Sequence, residues 1–242
     1  MNRLLALSAA EGKQFFRNIL LVSMAPFPVL LAVFMVLVDS GRFGVTFASS
    51  MYVLCSLGFV VYYSALSMAT TRRDENVLKR LRTGEARDWE ILTAIGIPLS
   101  LLIVVMTPLT VALVNYIATD DVPTLTNPLY MIAAILLGIP MSHGLALLTS
   151  RYTQNAEAAM ITSFPVLAFV MFSFPGGIRE LLPDRARTIV DWNPFALAAD
   201  LFCEGWLGAT LTNPGRALAA LGVWAVVLVW VGYRRMRWET HR

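Results

Sequence analysis

The residues best equipped to do chemistry in this chain lie together, in Thr71-Arg72-Arg73-Asp74-Glu75-Asn76-Val77-Leu78-Lys79-Arg80-Leu81-Arg82. Six of the chain's nineteen Lys and Arg residues fall between residues 71 and 90, interleaved with five acids. Such a segment supports docking rather than bond-making. In a helix Val77, Leu78 and Leu81 share one face, at i, i+1 and i+4, while Lys79, Arg80 and Arg82 occupy the remainder. A small apolar ridge with a charged rim fits a groove on another protein. Asp74 and Glu75 are expected in the first turn, where the helix dipole favours negative charge, and Glu75–Lys79 forms an i,i+4 pair of the favourable order. A loop that only fixed membrane orientation would need the bases but neither the acids nor the ridge.

Candidates for covalent or proton chemistry are few and isolated. His143 stands beside Ser142 and Gly144 in a long apolar run, where an ionisable group is a functional hypothesis by default. That run contains no carboxylate, and Glu157 lies past its end, so a hydrogen bond to a neighbouring helix fits better than a proton relay. Ser64, Ser100 and Ser163 have no His or Asp in a position to activate them, and His241 belongs to a basic tail. Cys55 and Cys203 are too few for a metal site or a disulfide framework and are expected to pack. A phosphate-binding GxxxxGK[ST] loop is absent: Gly12-Lys13 is followed by Gln14, and Leu7 stands where the first Gly is required.

The elements that must position these residues are membrane helices. Of 242 residues, 57% are hydrophobic and 14% charged, against about 25% charged in soluble domains. Mean hydropathy is +0.65. At about 20 residues per crossing, six apolar runs use the length: 19–38, 46–70, 91–118, 128–149, 157–174 and 217–233. One membrane domain, 1–242, is therefore expected, with any soluble catalysis supplied by another chain. The net charge of +3 is carried by basic loops, which set orientation and meet anionic headgroups; nucleic acid is not an expected partner.

Residues 3–17 suit an interfacial helix, within an interfacial region 1–18, with Leu4, Leu5, Leu7, Phe15 and Phe16 toward lipid and Arg3, Glu11, Lys13, Gln14 and Arg17 toward water. The first apolar run carries no cleavage site at Ala25-Pro26-Phe27-Pro28 and is expected to remain as a span. With the N-terminus inside, fourteen bases lie inside and five outside (Arg42, Arg179, Arg185, Arg187 and Arg216), which places both termini and the 71–90 loop in the cytoplasm. Asn127-Pro128, Asn193-Pro194 and Asn213-Pro214 read as helix starts on one common side, Asn capping and Pro filling the first position. Pro26, Pro28, Pro98, Pro108, Pro140 and Pro165 predict bent spans. The outer segment 175–215 is too polar to span yet rich in Leu, Ile, Phe and Trp. It predicts two amphipathic helices, roughly 178–190 and 194–207, that dip into the membrane and cap a cavity.

Taken together, these residues resemble the permease subunit of an ABC exporter of the ABC-2 type. Arg72-Arg73-Asp74-Glu75-Asn76-Val77-Leu78-Lys79-Arg80-Leu81-Arg82-Thr83, with Trp89-Glu90-Ile91-Leu92 entering span three, is similar to the family's loop between spans two and three. There an Arg-Glu pair precedes a Leu-rich basic helix. Leu182-Pro183 through Asn193-Pro194-Phe195 to Gly205 is similar to its re-entrant region before the last span. Gly84 departs from the family, many of whose members have Pro after the Thr.

The resemblance implies an all-α polytopic fold: an interfacial N-terminal helix, six transmembrane helices, a cytoplasmic coupling helix, and outer re-entrant helices before the last span. It implies a multi-pass protein of a bacterial cell membrane, paired with a cytoplasmic ABC ATPase and a second permease copy or paralogue. ATP and Mg would sit on that ATPase, with no cofactor or catalytic site on this chain. Asp74, Glu75, Val77, Leu78, Arg80, Leu81 and Arg82 would couple to the ATPase. Tyr52, Phe59, Tyr62, Met160, Phe164 and Met171, on spans two and five, would line the substrate route. Met and aromatic surfaces adapt to varied apolar ligands, so the expected cargo is amphiphilic: a drug, an antibiotic or a lipid-like molecule. The alternative, an ion-coupled carrier, calls for intramembrane carboxylates and internal repeats, and neither is seen.

Overall fold

The computed structural model describes residues 3–84, 86–119, 125–174, 178–208 and 211–238, and all regular structure among them is helical. Pro175-Gly176-Gly177, whose composition breaks a helix, and Asp120-Asp121, an acidic pair without a neighbouring base, lie outside the described residues.

Helix α1 (Arg3–Arg17) runs along one end of the molecule and packs on a long helix, α7 (Asp88–Ile117). Gly12 allows this approach, since a Cβ there would stand 3.5 Å from Pro98 Cβ. Leu5 and Phe16 are exposed as expected, but Phe15 turns into the protein. Glu11, expected to face water, is instead buried at 6% exposure, where it pairs with Arg72 of the second crossing at 3.0 Å.

Among the described residues, five stretches are long and apolar enough to cross a membrane: Ile19–Val38, Arg42–Asp74, Asp88–Ile117, Pro128–Ser150 and Pro214–Arg235. The first is α2 (Ile19–Met24) and α3 (Phe27–Val38), interrupted at Ala25-Pro26 as its prolines predict. The second is α4 (Arg42–Cys55), a π-helical segment Ser56–Tyr63, and α5 (Ser64–Asp74). Helices α8 (Pro128–Ser150) and α13 (Pro214–Arg235) cross with backbones in contact, because Gly144 and Gly232 face each other.

The expected fifth crossing falls short. Helix α9 (Ala159–Phe172) has 14 residues, about 21 Å at 1.5 Å per residue, against a hydrocarbon core of about 30 Å. The missing depth is occupied by the segment that follows: α10 (Ile178–Leu181), α11 (Asp184–Asp191) and α12 (Pro194–Leu207). Trp224 donates its indole N–H to the carbonyl of Trp192 at 3.1 Å. Trp224 lies roughly 15 Å along α13 from Pro214, so the α11–α12 turn sits well below the start of α13. Asn193 Nδ2 there donates to Phe169 O at 3.2 Å and to Ser173 Oγ at 2.9 Å, joining the turn to the truncated α9. All three Asn-Pro starts are capped as read, Asn127 on Leu129, Asn193 on Phe195 and Asn213 on Arg216. Asn193 is nonetheless buried, and its turn lies deeper along α13 than the Asn213 start.

Helix α12 fills space rather than roofing it. Phe195, Phe202, Trp206 and Leu207 are almost wholly buried, and Trp206 donates to Asn115 Oδ1 at 3.0 Å. The core therefore divides in two. One cluster surrounds α12 and the middle of the spans; the other, at the basic end, joins Phe15, Leu78, Leu92, Leu147 and Met236.

Candidate coupling site

The second crossing carries its helix down to Asp74, then turns at Asn76, whose φ of 57° is a left-handed conformation that Asn tolerates. Helix α6 (Val77–Arg82) follows. Asp74 and Glu75 are thus not in the first turn of the coupling helix, as periodicity suggested. They close the preceding helix, and Glu75 and Lys79 do not share one helix.

What these residues do instead is brace. Asp74 Oδ2 accepts the Ala156 amide at 2.7 Å. Arg73, at 1% exposure, donates from Nη1 to Ser150 O at 2.7 Å, and from Nη2 to Thr153 O at 2.6 Å and Gln154 O at 3.3 Å. A buried cation thereby satisfies the last carbonyl of α8 and two carbonyls of the loop just after it, where the helix dipole also favours it. Arg72 pairs with Glu11 at 3.0 Å and Glu75 at 3.5 Å. Burial pushes the Glu11 carboxyl above its usual range, and Arg72 pulls it back. Sequence reading did not single out Arg73; two adjacent Arg at the foot of a span were the available signal.

The apolar ridge also turns out to point inward. Leu78 is 1% exposed among Phe15, Ile91 and Met236, and Leu81 packs against the same cluster. The ridge seats α6 on its own chain, because those apolar side chains find an apolar groove beside α5 and α7. The outward face carries Lys79, Arg80, Arg82 and Thr83. Arg82 reaches Asp88 at 3.4 Å and lies over the Trp238 ring at 5.0 Å, so the C-terminal tail joins the same patch.

The candidate route residues do not converge within the chain. Tyr52 and Tyr62 are buried, their hydroxyls bonded to Thr107 at 2.9 Å and Thr149 at 3.3 Å. Phe59 is half-buried against Phe27. Met160 and Phe164 are each 72% exposed on α9, and Met171 packs on the core. The two tyrosines pack inside, while α9 offers an outward apolar face.

His143 does bond to a neighbouring helix. Its Nε2 lies 3.0 Å from Leu92 O, which requires a proton on Nε2, and its ring fits over Gly96, where a Cβ would come within 3.1 Å of Nδ1. Cys203 contacts Ser49 and Ser50 hydroxyls at 3.0 and 2.9 Å, and Cys55 is buried elsewhere. At the opposite end Arg179 makes a two-pronged pair with Asp200 at 2.8 Å and reaches Asp191 at 2.7 Å, staples that sequence reading missed.

Among known families, the one described as ABC-2 family transporter protein matches residues 12–234 of the chain. No curated protein matches it.

Proposed function

This chain belongs to the ABC-2 transporter family and is a membrane-embedded permease, and from that premise we propose that it is the export subunit of a complex energised by a separate cytoplasmic ATPase. The basic end faces the cytoplasm, with both termini, in keeping with the excess of Lys and Arg there. ATP and Mg are held by the ATPase, and a second permease copy or paralogue completes the membrane unit. The cargo is amphiphilic. An apolar cavity of about 560 Å³ between α9, the α11–α12 turn and α13, bordered by Phe169, Trp192, Phe195 and Trp224, is of a size suited to such a molecule.

One observation carries the reading: α6 is an exposed cationic helix bolted to the spans. Leu78 fixes it to the lower core, Arg73 ties its foot to the end of α8, and Asp74 grips the loop after α8. A push on α6 from a partner is therefore delivered to span two and α8 together. Because Leu78 faces inward, the docking contact is electrostatic, and the informative variant is Arg80→Glu, an exposed position outside the core. Membrane levels should match the parent, while co-purification of the ATPase and export both fall, by about tenfold for a charge pair reversed at an interface. Undiminished ATPase binding and export would remove α6 from the coupling role.

A further inference from the structure

Where α1 hands over to the first crossing, mostly polar side chains line an open cleft of about 740 Å³. Lys13, Gln14 and Arg17 come from α1, Asn18 and Ile19 from the junction with α2, and Arg72 from the foot of α5. We propose that this cleft is a binding site for the phosphate headgroup of an anionic phospholipid, held by Lys13 and Arg17 and backed by Arg72.

Charge sets the ligand. Arg72 is already engaged by Glu11 at 3.0 Å and Glu75 at 3.5 Å. Three cations against those two carboxylates leave one positive charge, the complement of a single phosphodiester. Lys13 and Arg17 stand at i,i+4 on one helix, a like-charge spacing that costs stability unless an anion lies between them. Guanidinium and ammonium groups with neighbouring amides suit phosphate oxygens.

Position sets the source. At the edge of the cleft Ile19 is 87% exposed, and beside it Leu20 is 50% and Phe16 66% exposed. A headgroup in the cleft would lay its acyl chains against these side chains, whereas a free anion gains nothing from them. Basic pockets beside the ends of membrane helices bind anionic headgroups in this manner. The bound lipid would also touch Arg72, next to the Arg73 brace, so its occupancy bears on the placement of α6.

The test uses the purified full chain in phosphatidylcholine vesicles with and without phosphatidylglycerol. Retained lipid is read by mass spectrometry and folding by the melting temperature. The parent should retain phosphatidylglycerol and melt higher in its presence. Lys13→Gln with Arg17→Gln should melt no lower than the parent in phosphatidylcholine alone, because the like-charge pair is gone, but lose retention by about 30-fold, the loss of two interfacial basic contacts. The charge-conserving Lys13→Arg with Arg17→Lys should bind as the parent does, even if the neutral variant folds poorly. Retention by the neutral variant equal to the parent's overturns the site. So does an equal rise in melting temperature when inorganic phosphate is added to phosphatidylcholine vesicles, because the cleft would then be a free-anion site.

Discussion

Arg72 and Arg73 are neighbours in sequence with opposite duties. Arg72 is held by two carboxylates near the surface, and Arg73 disappears into the protein to meet three backbone carbonyls. Replacing Arg73 by Ala would strand the carbonyl ends of α8 in a buried place. With charge-assisted bonds worth about 1.5–3 kcal/mol each and partial relief from water, the expected loss is about 3 kcal/mol. Lys supplies charge without the planar fork, so Arg73→Lys should fall between parent and Ala. Melting of detergent-solubilised protein ranks the three; an Ala variant as stable as the parent would show the brace to be idle. The sequence made the charge of this pair plain but not the division of labour. Which arginine goes inward depends on where α8 ends in space, and no local pattern encodes that.

Helices were legible to within a few residues wherever an Asn-Pro start or a long apolar run marked them. What periodicity could not supply was direction. The Val77, Leu78 and Leu81 face was recognisable as apolar, yet a ridge reads the same whether it faces a partner or its own chain. The shortness of α9 came from both edges: the run 157–174 was read as one span, while the helix covers Ala159–Phe172 and leaves Glu157 and Ser173 outside it. The π-helical segment Ser56–Tyr63 has no compositional mark at all. Glycines were similarly mute, and two in the same helix now separate sharply. A Cβ on Gly232 would overlap the Gly144 carbonyl oxygen, while one on Gly222 would meet open space. Gly232→Ala should therefore push α13 off α8 and lower the melting temperature markedly. Gly222→Ala should leave it unchanged or raise it, since Ala is about 1 kcal/mol better than Gly within a helix. Equal behaviour of the two variants would mean that the α8–α13 crossing does not limit stability.

At the scale of the whole molecule, composition alone announced a multi-span membrane protein, and charge placement divided it into a basic end and an opposite end. The structure gathers the same groups physically. Glu11, Arg72, Arg73, Ser150, Ala156, Arg82 and Trp238 are tied to one another at one end. Ser40, Thr119, Asn127, Gly205 and Gly208 meet at the other. Orientation in the membrane follows from the distribution of Lys and Arg between these ends. Thr83 and Thr212 are exposed at the two ends and suit single-cysteine probes, while Cys55 and Cys203 are buried and label poorly. A membrane-impermeant maleimide applied to intact cells should modify Thr212→Cys at once, and Thr83→Cys only after permeabilisation. The reverse pattern would put α6 outside the cell. No cytoplasmic ATPase could then reach Arg80, and the proposed coupling would fail whatever the behaviour of the Arg80 variant.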